Sequence, residues 1–468
     1  MKIEQIYTGC LAQGAYYIES EGEVAIIDPL REIQPYIDKA DAENATVKYV
    51  FETHFHADFV SGHVDLANKT GATIVYGPGA ETSYDIHSAT DGEEFKVGKI
   101  KIKALHTPGH TLESTTFLLI DENGNDHAIF SGDTLFLGDV GRPDLAIKSD
   151  LTKEDLAGML FDSLRTKIMT LADDVIVYPA HGAGSACGKN LSKETVGTIG
   201  DQKLTNYALR TEMTREEFIT EVLDGMPPPP QYFAKNALMN KTGYDAFDLV
   251  LETGNVPLTP EDFEAIANHE DALVLDVRTQ DDFSAGHVPN SIFIGLNGQF
   301  APWVGALITD LKQPLLLIVP EGKSEEAVTR LSRVGYDNTL GYLEGGIAAW
   351  KAAGKEVGTL DSISAETFAQ KATSDAINIL DVRKDGEYQA SHLEDAQHFA
   401  LDVINDNMNH IDPKKTYHIH CAGGYRSVIA ASILKARGFD KLVDVAGGFA
   451  AIKTTDLPVT EFVCPSTL

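Results

Sequence analysis

The sequence predicts a multidomain α/β protein. Three observations lead there: 468 residues are too many for one ordinary core and suit about three units, the C-terminal half repeats itself, and the apolar runs are short and alternate with helical stretches. The 43% hydrophobic and 23% charged residues are the proportions of a globular protein. Its longest aliphatic run, Leu315 to Val319, falls far short of the ~20 residues that span a bilayer, so no membrane helix is expected. Lys and Arg number 38 against 70 Asp and Glu, and the net charge of −32 excludes nucleic-acid binding through the overall field. Glu4 stands where a signal peptide would be apolar, and the four cysteines (Cys10, Cys187, Cys421, Cys464) are too scattered for a disulfide framework. A reducing cytoplasm is the expected location, in which a special cysteine is reactive rather than structural.

The first domain, residues 1–250, reads as one mixed α/β unit of many short strands. Lys99-Ile-Lys-Ile-Lys103 alternates with period two as a half-exposed strand does, whereas Val24 to Ile27, Phe117 to Ile120 and Val175 to Tyr178 read as buried strands. Met226-Pro-Pro-Pro-Pro230 cannot continue a helix and reads as an arm packed on this domain or leading out of it. A linker is expected near Gly254 to Pro260, with a helix starting at Thr259-Pro-Glu-Asp262.

The repeat fills the remainder. Asp276-Val-Arg278 recurs as Asp381-Val-Arg383 and Gly286-His-Val288 as Ser391-His-Leu393, both at an offset of 105 residues, and Gly345-Gly346 answers Gly447-Gly448. This repetition implies two α/β domains, 257–355 and 358–468. In each, a short strand ends in Asp-Val-Arg and a second strand comes after it (Leu315 to Val319; Tyr417 to His420). The second copy then has a helical stretch, Val428 to Leu434, closed at Gly438. Strands alternating with helices imply mainly parallel sheets.

Groups able to hold metal sit directly behind strands of the first domain, where an open sheet presents functional side chains: Thr53-His54-Phe-His56-Ala-Asp58, His110 in His106-Thr-Pro-Gly-His110, Asp133 in Ser131-Gly-Asp133, and His181 in Tyr178-Pro-Ala-His181. A lone histidine is ordinarily a surface or core residue; six imidazole and carboxylate groups gathered behind strands are not. His63, His87, His106 and His127 have no matching position and are assigned to structure or solvent.

These residues resemble the metallo-β-lactamase superfamily, whose signature Thr-His-X-His-X-Asp-His precedes a separate His, Asp and His; the resemblance implies an αββα sandwich. The last His of the signature is Phe59 here, which cannot ligate the second metal of the two-metal hydrolases. The longer stretch from His54 to His63, together with Gly141-Arg-Pro-Asp144, is similar to the persulfide dioxygenase branch, which uses one ferrous ion. Carried over by position, the resemblance implies His54, His110 and Asp133 as ligands of one Fe(II) per chain. It makes His56, Asp58 and His181 outer groups that orient them, the alternative being remnants of a two-metal ancestor. Two histidines and a carboxylate leave positions open for O₂ and a substrate sulfur. Arg142 is expected to meet either the carboxylate of the thiol carrier or Asp144. Cys187, close in sequence to His181, is expected at the rim of the iron pocket as an accessory thiol.

In the last domain Cys421-Ala-Gly-Gly-Tyr-Arg426 lies between a strand and a helix, so backbone N–H groups and the helix dipole favour a thiolate, and Arg426 offers a fork for an oxyanion. Gly423 and Gly424 let the loop curl around the sulfur. This loop and its Asp381-Val-Arg383 framework resemble the rhodanese sulfurtransferases, with Ser391 in place of their usual Gly. The resemblance implies Cys421 as the sulfur carrier, Arg426 beside it, and Ala422, Gly423, Gly424 and Tyr425 as the substrate-binding loop. The first copy has no cysteine and cannot carry a persulfide; packing between the active domains or an oligomer contact is its expected role. Cys10 and Cys464 read as plain apolar residues.

Taken together, these resemblances imply a persulfide dioxygenase fused to a rhodanese pair, which oxidises a low-molecular-weight thiol persulfide with O₂ to sulfite and interconverts sulfite with thiosulfate, in a homo-oligomer. The rivals are a thioester hydrolase with zinc on His54, His56, Asp58 and His181, and a sulfur-binding or sensing protein without turnover.

Overall fold

A computed structural model describes residues 1–145, 151–226 and 228–463. The chain divides into two compact units, Met1–Phe247 with Ser332–Gly335, and Asp248–Leu331 with Tyr336–Leu468.

The first unit is a four-layer sandwich. One six-stranded sheet runs in the order Lys2–Thr8, Gln13–Ser20, Glu23–Ile27, Thr46–Phe51, Thr73–Tyr76, His87–Ser88. The other runs Gly197–Thr198, Ile176–Pro179, Asp126–Gly132, Thr115–Ile120, Ile100–His106, Glu94–Val97. Period-two alternation decides which side chains fill which layer. Tyr16 and Ile18 point between the sheets, where they join Phe51, Phe95, Phe117 and Phe130. Their neighbours Ala15 and Tyr17 point outward, into a layer with Tyr36 and Ala40 of helix Gln34–Ala42 and Leu66 of helix His63–Thr70. On the other outer face, helix Lys153–Ser163 contributes Leu156, Ala157 and Leu160, fully buried. The expected buried strands lie within the observed ones to within a residue. The 100–106 strand shows the half-exposed alternation read from its lysines.

Of the proline-rich arm, Pro227 lies outside the described residues, as does Cys464. Beyond the arm, helix Phe233–Thr242 packs on the first unit: the Asn240 amide donates to the carbonyls of His56 and Phe59, each at 2.8 Å, and its oxygen accepts from the Ser61 N–H at 2.9 Å. The segment expected as a linker is ordered differently. Helix Phe247–Gly254 runs up to it, Pro257–Leu258 forms an edge strand paired with Tyr342 and Leu343, and Thr259 caps helix Pro260–His269 through the Asp262 N–H.

The second unit holds two five-stranded sheets, both wholly parallel and of the same order. The first is Pro257–Leu258, Thr339–Leu343, Leu315–Ile318, Leu273–Asp276, Ile292–Phe293; the second is Asp361–Ile363, Leu442–Val445, Tyr417–His420, Asn378–Asp381, Ala396–His398. The Asp-Val-Arg motif closes the same clamp in both. Arg278 Nε donates to Asp276 at 2.9 Å and Arg383 Nε to Asp381 at 2.9 Å, while each Nη2 reaches a carbonyl at 2.8 Å, of Gly286 and of Ser391. The Asp and Arg of the motif are therefore framework, and Ser391 fills the glycine position because only its carbonyl is used in the clamp. Among the described residues no helix is long and apolar enough to cross a membrane.

Candidate functional site

The donors predicted behind the strands of the first unit join Cys187, Asp28 and Glu52 in three buried groups: His54, His110 and Asp133; Asp58, His181 and Cys187; and Asp28, Glu52 and His56. In the first group, Oδ2 of Asp133 lies 3.4 Å from His110 Nε2 and 3.9 Å from His54 Nε2.

The hydrogen bonds around this group fix which ring nitrogen faces inward. The Thr53 hydroxyl has one proton and gives it to Asp28 Oδ2 at 2.8 Å, so at 3.0 Å it accepts from His54 Nδ1. His110 Nδ1 donates to the Arg142 carbonyl at 2.9 Å. Both Nε2 atoms therefore turn a lone pair toward Asp133. This approach needs glycine at 141: a Cβ there would stand 2.0 Å from the Asp133 carbonyl oxygen and 2.9 Å from His110 Nδ1. His181 Nδ1 bonds Asp133 Oδ1 at 3.2 Å and aims the carboxylate, while its Nε2 lies 2.9 Å from Asp58.

Among the described residues His110 Nε2 and Asp133 Oδ2 are buried with no hydrogen-bond partner, a costly condition in a protein interior. Burial, reinforced by neighbouring imidazoles, holds His54 and His181 well below the ordinary histidine value and brings His110 to about 4. Burial also raises Asp133 well above the usual carboxylate range, with Asp58 adding to it. Neutral imidazoles and a carboxyl that ionises only against a compensating charge are the donor set of a metal site, and the residues fit one. His56 differs. Burial alone would lower it, but Asp28 at 3.0 Å and Glu52 override that and raise it to about 9, and an imidazolium has no lone pair to offer. Phe59, fully buried, lies across His56 with ring centroids 4.4 Å apart.

Of the two partners expected for Arg142, the structure shows Asp144: Nε and Nη2 make a fork of 2.7 and 2.8 Å, and Arg142 is buried. Cys187 is not at a rim. It is buried in one group with Asp58 and His181, and burial pushes the thiol well above its ordinary value. His63 is buried on the Tyr84 hydroxyl at 2.6 Å, and exposed His87 pairs with Glu93. Sequence reasoning does not find Asp28, Glu52 or Asn240. Asp28 comes after strand Glu23–Ile27 just as the predicted donors come after theirs, and its left-handed backbone (φ 49°) marks a constrained position.

In the second unit, Cys421 lies between strand Tyr417–His420 and helix Tyr425–Ala436. The Gly424 N–H donates to its sulfur at 3.1 Å. Of the two loop glycines, only Gly424 takes a left-handed conformation (φ 104°). A cavity of about 410 Å³ opens onto the sulfur, lined by Gln299, Trp303, Lys384, Glu387, Cys421, Gly423, Tyr425 and Arg426. Ala422 and Gly424 are not in this lining; the Ala422 carbonyl instead accepts from the Ala450 N–H. Arg426 does not hold its fork open: both Nη atoms grip Glu387, at 2.5 and 2.8 Å, and this carboxylate raises the Arg426 pKa. Glu387 is not legible in the sequence, being brought from another helix.

Sequence comparison places the architecture. The profile of the metallo-beta-lactamase superfamily matches residues 8–181, and that of the rhodanese-like domain matches 259–353 and 364–455. A probable hydroxyacylglutathione hydrolase, glo2 of Schizosaccharomyces pombe, is 30% identical over 42% of this chain and 72% of its own length. The chain belongs to the metallo-β-lactamase superfamily. Its superfamily domain is also 29% identical to the human mitochondrial persulfide dioxygenase ETHE1, over 45% of this chain and 74% of that protein. A crystal structure of a metallo-β-lactamase from Staphylococcus aureus subsp. aureus COL aligns with TM-score 0.64 and 33% identity, covering 73% of this chain and 98% of the other. The chain is thus a superfamily domain fused to two rhodanese-like domains.

Proposed function

We propose that the first unit is a single-iron persulfide dioxygenase and that the last domain is a sulfurtransferase acting on the same sulfur stream. The observation that carries this reading is the convergence of His54, His110 and Asp133 in one buried group, with Phe59 in place of a second-metal ligand and His56 paired with Asp28. Fe(II), when bound by these three, supplies redox chemistry toward O₂ and open positions for a substrate sulfur. The chain does the rest: Thr53 and the Arg142 carbonyl hold the two imidazoles in one tautomer, His181 orients Asp133, and Phe59 keeps that side of the pocket apolar. The overall change is RSSH + O₂ + H₂O → RSH + SO₃²⁻ + 2H⁺. Sulfite then attacks the outer sulfur of a Cys421 persulfide; the S–S bond breaks, thiosulfate leaves, and the electron pair returns to the Cys421 thiolate. Fusion raises the local concentration of the shared intermediate.

Oxidation of a thiol persulfide by the iron-loaded wild type should yield thiosulfate, and by Cys421→Ser sulfite, beside a matched mixture without the transferase that corrects for reaction in solution. Equal sulfite-to-thiosulfate ratios in the two proteins would refute the coupling. A second reading, a zinc thioester hydrolase, draws on the 30% identity to the hydroxyacylglutathione hydrolase. Metal analysis separates the two: protein from iron-replete cells should hold about one iron per chain and no stoichiometric second metal, whereas two zinc ions would favour the hydrolase.

A further inference from the structure

The cysteine-free repeat reaches into the cysteine pocket. Tyr425 donates its hydroxyl to the Gly295 carbonyl at 2.8 Å and sets its ring edge-on to Phe293, centroids 5.7 Å apart; the Phe293 N–H in turn donates to Ser432 at 2.9 Å. The chain then passes so close to Tyr425 that a Cβ on Gly298 would stand 2.2 Å from the ring. Directly after this crossing, helix Phe300–Leu307 begins, and Gln299 and Trp303, one turn apart, form a wall of the 410 Å³ cavity that holds Cys421. Trp303 is only 5% exposed. Among the described residues neither its indole N–H nor the Gln299 amide has a hydrogen-bond partner. Gln299 and the indole N–H thus put two polar groups on the wall of the pocket that holds Cys421, where polar groups orient a ligand.

We infer that Gln299 and Trp303 select the thiol that takes sulfur from Cys421. They receive the organic part of a low-molecular-weight thiol: the indole face covers its carbon chain, and the indole N–H and Gln299 amide bond its carboxylate or amide groups, with Lys384 also in the lining. In the step they serve, the acceptor thiolate attacks the outer sulfur of the Cys421 persulfide, a new S–S bond forms, the old one breaks, and Cys421 leaves as thiolate with no net redox change. The inference rests on Cys421 being the sulfur carrier. It gives the cysteine-free repeat a part in substrate choice.

The test uses the full chain with thiosulfate as donor and two acceptors, glutathione and cyanide, the latter too small to touch the wall. For Gln299→Ala and Trp303→Ala, the ratio of kcat/KM with glutathione to that with cyanide should fall about fivefold or more, carried by KM, and Trp303→Phe should recover most of it. A ratio changed less than that in both alanine variants overturns the inference even if both rates drop, because a merely structural fault slows both acceptors together. Gln299 is exposed, so its variant stays informative if Trp303→Ala fails to fold. Cys421→Ser, run alongside, identifies the other failure: if it still transfers sulfur to cyanide, the carrier is misassigned rather than the wall.

Discussion

The two rhodanese-like repeats share strand order, the Asp-Arg clamp and a histidine that bonds the carbonyl four residues back (His287 to Phe283, His392 to Tyr388). They part at one loop. Register pairs Asp276 with Ile318 and Asp381 with His420, so Val319 occupies the position of Cys421. After Val319 the chain continues Pro-Glu-Gly-Lys-Ser, against Ala-Gly-Gly-Tyr-Arg after Cys421. Pro320 lacks an N–H and Glu321 brings negative charge, whereas the second loop turns the Gly424 N–H onto a sulfur. The framework persists without the proposed chemistry, which is assigned to six residues.

The contrast between the repeats is largest at the cysteine itself. Cys421→Ser should lower thiosulfate-to-cyanide transfer by about 10³-fold or more. Adding Val319→Cys should not restore it, since a thiol there lacks the donors that stabilise a thiolate; recovered transfer would show that the loop is dispensable. Next come the clamps. Arg278→Ala and Arg383→Ala each strand a buried aspartate and should each cost about 3–5 kcal/mol in urea unfolding; Arg383 should cost more, as it also stacks 3.9 Å over Phe449. A loss under about 1 kcal/mol in both would mean the clamp is not framework. Arg426→Lys should reduce transfer by about tenfold, because an ammonium cannot hold Glu387 bidentately.

A smaller contrast is set by pH. Burial raises Asp444 to about 6, although Ser427 and Ser362 oppose it, while Tyr342 holds the corresponding strand position in the first repeat. The folded state therefore keeps a proton that the unfolded chain has lost above about pH 4, so this contribution is full at lower pH and is lost as pH rises toward and past 6. Unfolding of Asp444→Asn measured between pH 4 and 7 should lack that decline; an unchanged profile would contradict the assignment.

The donors of the candidate metal site are legible in the sequence because they share a local signal, a histidine or carboxylate at the end of a short apolar strand. The two parallel sheets are legible because a repeat predicts itself. What escapes the sequence is what only packing supplies. Asn240 comes from a helix about 180 positions downstream to fasten the carbonyls of His56 and Phe59. Glu387 occupies the Arg426 fork from another helix, and Trp303 enters the cysteine pocket from the other repeat. Asp28 carries the same signal as the donors, yet its role depends on Thr53 and His56, which only the fold brings against it.

Oxygen consumption by iron-loaded protein given a thiol persulfide is the decisive measurement. Wild type and Cys421→Ser should both consume O₂, and Asp133→Ala should consume none while still transferring sulfur from thiosulfate to cyanide. Wild-type O₂ uptake by Asp133→Ala, or a wild type that hydrolyses thioesters without consuming O₂, would contradict a dioxygenase built on His54, His110 and Asp133.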